Sequence, residues 1–215
     1  EEARRRGAGV SFKSTEQESE PYEINTTWWS ALNPGREGEE IGLQIERYLA
    51  SRAVALVLRG VPGIYIHGAL GTENDYRAAK ASGVSRDLNR GIIEEAQVKE
   101  ALRDRGSKLS LLFQGWRDLL LVRRRERSFH PCGPQRVIRL SPRVFALRRT
   151  APEGDESVLT LTGLSAEETP LRIPLREAGL KSGECRDLLS NQTYPTSGGV
   201  LSLTLPPYGR LWLKQ

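Results

Sequence analysis

The stretch "GVPGIYIHGALGTENDY", Gly60 to Tyr76, decides how this chain is read. Gly60 and Pro62 punctuate its start, and a short apolar run follows from Gly63 to His67. Short continuous runs of β-branched and aromatic residues mark strands buried on both faces of a parallel sheet. The run gives way to a polar loop, Gly68 to about Gly91, that holds an acid, an amide and a tyrosine and contains "SRDLNRG". Loops at the carboxyl ends of such strands are where α/β proteins keep their sites. Some twenty residues is long for a bare connection, so the loop is expected to be functional or to carry a short helix of its own.

Working outward, the residues before Gly60 predict a helix over about Glu39 to Arg59. Its apolar residues Ile41, Ile45, Tyr48, Leu49, Val54, Leu56 and Val57 recur mostly at three- and four-residue spacing. Gly60 stops it and Pro62 prevents a restart. After the loop, helices are expected over about Ile92 to Asp104 and Ser107 to Arg124. The second carries Leu109, Leu112, Phe113, Trp116, Leu119 and Leu120 on one face. Residues 1 to 20 read as a loop or loose hairpin, and Pro21 to Pro34 as an aromatic segment ending in a turn. Near "FHPCGPQ", Phe129 to Gln135, the helical patterns stop. "RVIRL", "RVFALRR", "SVLTLTGL", "LRIPL", "VLSLTLP" and "GRLWLKQ" then alternate between turn clusters, which predicts a small antiparallel β-domain, a sandwich or roll, from about 130 to 215. A single buried parallel strand cannot make a sheet, so the segment Gly63 to His67 wants neighbours that this chain does not supply.

The 215 residues are 38% hydrophobic and 27% charged, as expected of a globular chain. No apolar run approaches the roughly 20 residues that span a bilayer, and "EEARRR" at the start has no apolar h-region behind it. A cytoplasmic location is therefore expected. Methionine is absent even at position 1, which suggests a processed chain or a piece of something longer. The net charge of +5 is mild. Its most basic spot, "VRRRER" from Val122 to Arg127, reads as a solvated helix end rather than a nucleic-acid patch, because no aromatic residues are interleaved with it. Cys132 and Cys185 lie far apart and read as reduced thiols. His67 and His130 offer no metal-ligand spacing, and no phosphate loop, nucleophile elbow or zinc signature is present.

Taken together, "PYEINTTWWSAL", then "RYLASRAVALVLRGVPGIYIHGALGTENDY", then "SRDLNR", resemble the last part of a sucrose-phosphorylase-like enzyme of the α-amylase superfamily, glycoside hydrolase family 13. "DLLS" and "LSLTLPPYGRLWLKQ" resemble the C-terminal β-domain of the same enzymes, so the likeness runs from about residue 8 to 215. The fold it implies is α/β plus all-β: residues 1–128 as the C-terminal part of a (β/α)8 catalytic barrel, its last helix-strand-helix units, and 129–215 as a small antiparallel β-sandwich. Gly63 to His67 would be the eighth barrel strand, and the loop above it one wall of a sugar pocket.

The chemistry implied is double displacement. One carboxylate attacks the anomeric carbon while a second, roughly 5 Å away, protonates the leaving oxygen. Phosphate then takes the glucosyl group to give α-glucose 1-phosphate. The resemblance matches neither of those carboxylates to a residue here, so no catalytic residue is assigned and the segment alone is expected to be inactive. What it does imply is a substrate-binding set. Arg86 would hold the donor glucose, Tyr22 would stand at the phosphate site and Glu20 at an acceptor-sugar position. Glu23 stands where sucrose phosphorylases carry glutamine, which puts sucrose itself in question, and "IYIHGALG" is closer to the glucosylglycerate and glucosylglycerol phosphorylase branch. The residues themselves allow plainer readings: Arg86 pinned by Asp87 or Glu73, Tyr22 as a rim tyrosine, His67 as a packed strand end, and Trp28, Trp29, Trp116 and Trp212 as packing.

The resulting expectation is part of a retaining α-glucosyl phosphorylase whose partners are a small α-glucoside and phosphate as co-substrate. It takes no metal or organic cofactor, nucleic acid or membrane as partner, and a homodimer is allowed. A glucosylglycerate or glucosylglycerol phosphorylase is the alternative within that class. A non-catalytic carbohydrate-binding fragment is the alternative outside it.

Overall fold

The computed structural model describes residues 2–5, 7–14, 19–35 and 38–215. It divides into two compact units, one of residues 1–44 and 64–113 and one of residues 45–63 and 114–215.

The first unit opens with a single turn of helix, α1 (Glu2–Arg5), and an antiparallel hairpin of β1 (Gly9–Ser14) and β2 (Ser19–Asn25). This hairpin occupies much of the stretch read as loop or loose hairpin. Next comes the short α2 (Trp28–Leu32), started by Thr27, whose hydroxyl accepts the Ser30 N–H. The helix expected from Glu39 to Arg59 is α3 (Ile41–Val57), whose first residues belong to this unit and the rest to the second.

Gly63 to His67 does not form a strand, and here the structure corrects the sequence reading. Residues 61–65 are irregular and α4 (Ile66–Leu70) begins inside the apolar run. A strand exists only as one member of a hydrogen-bonded ladder, and no described strand lies beside this segment. Its side chains stay exposed as a result: Ile64, Tyr65 and Ile66 are all among the exposed apolar residues. Gly71 ends α4 in the left-handed region at φ 59°, and a Cβ there would fall 2.4 Å from Leu112 Cδ1, so only glycine fits. The long polar loop carries helices of its own, namely α5 (Tyr76–Ser82) and a 3-10 turn over Ser85–Asn89. Two further helices follow, α6 (Glu95–Arg103) and α7 (Lys108–Arg125), close to the expected bounds.

In the second unit the helical part meets the β-domain through Phe129, which packs on Trp212, and through Arg149, which donates to the Val57 carbonyl. Gly115 of α7 faces α3 so closely that a Cβ would meet Leu49 Cδ1 at 2.4 Å. The strands are β3 (Gln135–Ser141), β4 (Val144–Thr150), β5 (Ser157–Gly163), β6 (Thr169–Pro174), β7 (Glu184–Asp187), β8 (Thr193–Ser197), β9 (Val200–Leu205) and β10 (Arg210–Lys214), with a short α8 (Leu175–Ala178) after β6. They form one continuous antiparallel ladder in the order β3-β4-β5-β10-β7-β8-β9-β6. Residues from both ends of that order, Ile138 and Val144 at one and Leu171 and Ile173 at the other, join a single apolar core. The sheet therefore curls around its own inner face instead of splitting into two separately bonded layers.

Alternation decides which side chains reach that core. Along β6, Thr169, Leu171 and Ile173 are buried while Pro170, Arg172 and Pro174 are exposed. The β8–β9 hairpin turns on Gly198 and Gly199, both at positive φ, as a two-residue hairpin loop of the primed type demands. The central strands β5 and β10 are buried on both faces. Leu211 and Leu213 enter the core, whereas Trp212, on the opposite face, packs on Phe129 with ring centroids 4.8 Å apart. Asp187, also buried, accepts the Trp212 N–H at 2.7 Å and both donors of Ser190, which fixes the turn after β7.

Arg149 is fully buried and, among the described residues, has no carboxylate partner. It donates to the carbonyls of Val57 at 2.7 Å and His130 at 2.6 Å. The first of these closes α3, where the negative end of the helix dipole favours a cation. Burial, followed by the nearby Arg123 and Arg59, pushes the Arg149 guanidinium below its ordinary range.

Candidate functional site

Within the first unit, three of the four expected binding residues meet. Arg86 Nε donates to Glu23 Oε2 at 2.8 Å, and Arg86 Nη2 donates to the Tyr22 hydroxyl at 2.8 Å. Tyr22 and Glu23 are neighbours on β2, whereas Arg86 stands on the 3-10 turn some sixty residues later. Arg86 is thus bonded to Glu23, and neither Asp87 nor Glu73 is the partner found; Glu73 instead pairs with Lys108 at 2.7 Å. The Glu23 carboxylate holds the Arg86 guanidinium above its ordinary range. Glu20 lies on the same strand, opposite Lys13, and among the described residues makes no bond to the other three.

A set of short polar stitches brings these distant residues together. Asn74, just after α4, accepts the Thr27 N–H on Oδ1 at 2.7 Å, pairs through Nδ2 with the Thr26 hydroxyl at 3.1 Å and donates its own N–H to Ser30 Oγ at 3.0 Å. This ties the long loop to the start of α2, immediately downstream of β2. Asp75 then caps α5 by accepting the Ala78 N–H at 2.8 Å, while its own N–H donates to Leu88 O at 2.8 Å. Leu88 is buried and anchors the turn that carries Arg86. Asn25 closes the other side by donating to Ser11 Oγ at 2.7 Å, and β1 runs so close to the turn that a Cβ on Gly9 would sit 3.5 Å from Ser85 O.

The chemistry available follows from a donor count. A guanidinium has five N–H donors, and those on Nε and Nη2 are turned to Glu23 and Tyr22, which leaves the two on Nη1 for a ligand. The Tyr22 oxygen accepts from Arg86, so its own O–H is free to donate. Glu23 Oε1 remains an acceptor. One cluster therefore offers donors suited to an anion and an acceptor suited to a hydroxyl. Tyr22 and Glu23 also border a cleft of about 460 Å³ with Phe12 and Arg4, whose guanidinium lies 5.0 Å from the Phe12 ring centre.

Of the remaining candidates, His67 is a packing residue at this site: its Nδ1 lies 2.9 Å from the Thr72 hydroxyl, its ring tilts against Tyr65, and burial pushes its pKa down. Trp29 is buried beneath Lys108, whose ammonium lies 4.4 Å from the ring, while Trp28 is exposed. Trp116 and Trp212 are core, as their apolar patterns suggested. Both cysteines are free thiols, Cys132 exposed and Cys185 buried. Among the described residues no group of His, Cys, Asp and Glu could hold a metal ion, and no helix is long and apolar enough to cross a membrane. Sequence reasoning passed over Asn74, whose bonds fix the loop; an asparagine followed by a capping aspartate is its only local signal.

Comparison with known proteins places this chain in a family. Residues 136–212 match the family model of the maltogenic amylase C-terminal domain. The chain is 36% identical to the glucosylglycerate phosphorylase of Spirochaeta thermophila over 97% of its own length and 36% of that protein's. It is 35% identical to the sucrose phosphorylase of Bifidobacterium adolescentis over 38% of this chain and 14% of that protein. The crystal structure of sucrose 6F-phosphate phosphorylase from Thermoanaerobacter thermosaccharolyticum superposes with a TM-score of 0.58 at 23% identity, covering 75% of this chain and 30% of that one. The chain spans about a third of the length of the glucosylglycerate phosphorylases that it matches end to end. It is a piece of sucrose-phosphorylase-like sequence and belongs to the α-amylase superfamily, glycoside hydrolase family 13.

Proposed function

We propose that this chain is the C-terminal portion of a retaining α-glucosyl phosphorylase, and that its Arg86, Tyr22 and Glu23 line the sugar and phosphate subsites. Residues 1–128 then contribute the last helix-strand-helix units of a (β/α)8 barrel, and residues 129–215 the β-domain that follows it. The exposed run Ile64 to Ile66 supports this reading, since it has the composition of a buried strand and lacks only neighbours. In the barrel it would pair with strands from the rest of the enzyme.

The observation that carries the proposal is the meeting of Arg86 with Tyr22 and Glu23, at the positions that the family resemblance assigns to binding. In the first half of the reaction a carboxylate outside this segment attacks C1 of the glucoside. The bond from C1 to the leaving oxygen breaks as that oxygen takes a proton from the second carboxylate. Arg86 contributes by fixing the glucosyl group, its remaining N–H donors bonding sugar oxygens in a rigid fork. In the second half a phosphate oxygen attacks C1 and the enzyme carboxylate leaves. The Tyr22 O–H can donate to phosphate, as can the N–H groups of Arg86 that Glu23 and Tyr22 leave unused.

Glu23 bears on which glucoside is used. Its charge largely cancels that of Arg86, so phosphate meets a nearly neutral pair, and Glu23 Oε1 offers an acceptor for a hydroxyl of the leaving group. The end-to-end similarity to a glucosylglycerate phosphorylase supports glucosylglycerate over sucrose. The test uses the full-length protein that contains this chain. It is incubated with phosphate and either glucosylglycerate or sucrose, and α-glucose 1-phosphate is quantified. Faster release from glucosylglycerate, with competitive inhibition by sulfate against phosphate, is the expected result. Free glucose formed in place of the phosphate ester would sink the phosphorylase reading in favour of hydrolysis.

A further inference from the structure

Tyr22 and Glu23 are consecutive on β2, yet both bond to Arg86. In a regular strand successive side chains point to opposite faces, so two neighbours do not converge on one group. The register of the hairpin resolves this. Gly9, Val10 and Ser11 stand opposite Asn25, Ile24 and Glu23, whereas Phe12, Lys13 and Ser14 stand opposite Pro21, Glu20 and Ser19. The pairing shifts by one residue between Ser11 and Phe12, and Tyr22 has no opposite number on β1. It is the extra residue of a β-bulge.

The face turned toward Arg86 is fixed by a separate observation. A Cβ on Gly9 would lie 3.4 Å from Asn25 Cβ and 3.5 Å from Ser85 O, so the 3-10 turn lies over the face to which Asn25 points. Asn25 is buried and Ile24 exposed, and Glu23, two residues from Asn25, points with it toward the turn. Unbroken alternation would then turn Tyr22 away. The bulge adds one step, so Tyr22 returns to the side of Glu23. The same step puts Glu20 on that side, since its opposite residue, Lys13, is two residues from Ser11, which stands opposite Glu23. Pro21 sits beside the extra residue. It has no N–H to give to a ladder bond, and within sheets proline is confined largely to edges and bulges.

We propose that Pro21 is a positioning residue: it seats the bulge at Tyr22, and the bulge brings Tyr22 and Glu23 onto Arg86 as one phosphate-binding cluster. Pro21 bonds to none of these side chains and acts through the backbone alone. Bulges are used in this way beside sites, to re-aim a side chain that the pleat would otherwise direct elsewhere. The geometric part of the inference stands on the hairpin and its turn. The part that concerns phosphate rests on the phosphorylase reading above.

The test uses the full-length protein. One serine inserted between Ser11 and Phe12 gives every residue of β2 an opposite number, so the bulge is removed while every residue of the site is kept. A crystal structure of this variant should show Arg86 still on Glu23 and Tyr22 turned to the other face. The KM for phosphate should rise about tenfold, the effect of losing one hydrogen bond, with the melting temperature held. Tyr22→Phe should raise that KM in the wild-type background and add nothing in the insertion background, whereas an unrelated structural defect would leave the two effects additive. Pro21→Val restores the N–H in a strand-favouring residue and should shift the phosphate KM in the same direction by a smaller factor. Three outcomes would overturn the proposal: Tyr22 still bonded to Arg86 in the insertion variant, additive effects of Tyr22→Phe and the insertion, or an unchanged phosphate KM in Pro21→Val. A wild type that releases no α-glucose 1-phosphate would count against the phosphorylase reading instead, and the crystal structures would still decide whether the bulge places Tyr22.

Discussion

The two units differ in how they treat apolar surface. In the first, the buried apolar residues among those described are Trp29, Leu88 and Leu112, while Ile64, Tyr65, Ile66, Ile92 and Phe113 are exposed together with Phe12 and Tyr22 of the hairpin. In the second, a cluster running from Ile138 to Leu213 is nearly dry, and its exposed large apolar residues are few. The second unit carries in its own sequence the strands that cover its strands. The first holds its shape largely through side-chain polar bonds, at Asn74, Asp75 and Arg86, and leaves much of its apolar surface exposed. Hydrophobic burial of roughly 25 cal/mol per Å² is the main favourable term in folding. The difference teaches that the second unit buries most of its own apolar surface while the first leaves much of it exposed.

The largest effect that would test this contrast is in the second unit. Trp212→Ala removes a fully buried side chain packed on Phe129 and should cost about 4 kcal/mol, read as a fall in the urea midpoint. A loss below about 1 kcal/mol, the size of a surface substitution, would mean that the core is not the tight body described. Next is Arg86→Ala in the full-length protein. On the proposed phosphorylase reading, the expected loss is about a hundredfold in kcat/KM for phosphorolysis, with the melting temperature little changed because the side chain is partly exposed. A large drop in melting temperature with activity preserved would make Arg86 a structural pin of the hairpin.

Asn74→Ala should cost about 1–2 kcal/mol, since the buried Thr27 N–H loses its acceptor. Faster hydrogen exchange at Thr27, with exchange in β5 and β10 unaltered, would sharpen the division into two units. The smallest effect concerns pH. Burial depresses the His67 pKa below its usual value near 6.5, so the folded state disfavours the imidazolium. The His67 contribution is intact above that pH and is lost as pH falls through the folded pKa. His67→Gln should flatten this part of the stability curve, as followed by thermal melts between about pH 4 and 7.

Much of this was written in the chain itself. Periodicity located α3, α6 and α7, and alternation located β3, β4, β5, β6, β9 and β10, because each of those elements has enough apolar residues to state its period. It failed for β7 and β8. "ECRD" is short and charged, and "TYPTS" contains a proline, so neither has an apolar pattern to read; β7 is held by its register with β8 and β10 and by the bonds of Asp187. It also failed for Gly63 to His67, where composition signals a buried strand but a strand forms only when another lies beside it. At the site, residue type and family likeness singled out Arg86, Tyr22 and Glu23 separately. Sequence could not say that Glu23 is the carboxylate that Arg86 holds, because the two are far apart along the chain and are joined by a hairpin, a capped loop and the bonds of Asn74. Local pattern fixes which elements a chain can make, since propensity and period act over a few residues. Pairing across long separations is set by the free energy of the whole fold, and only the tertiary structure decided it.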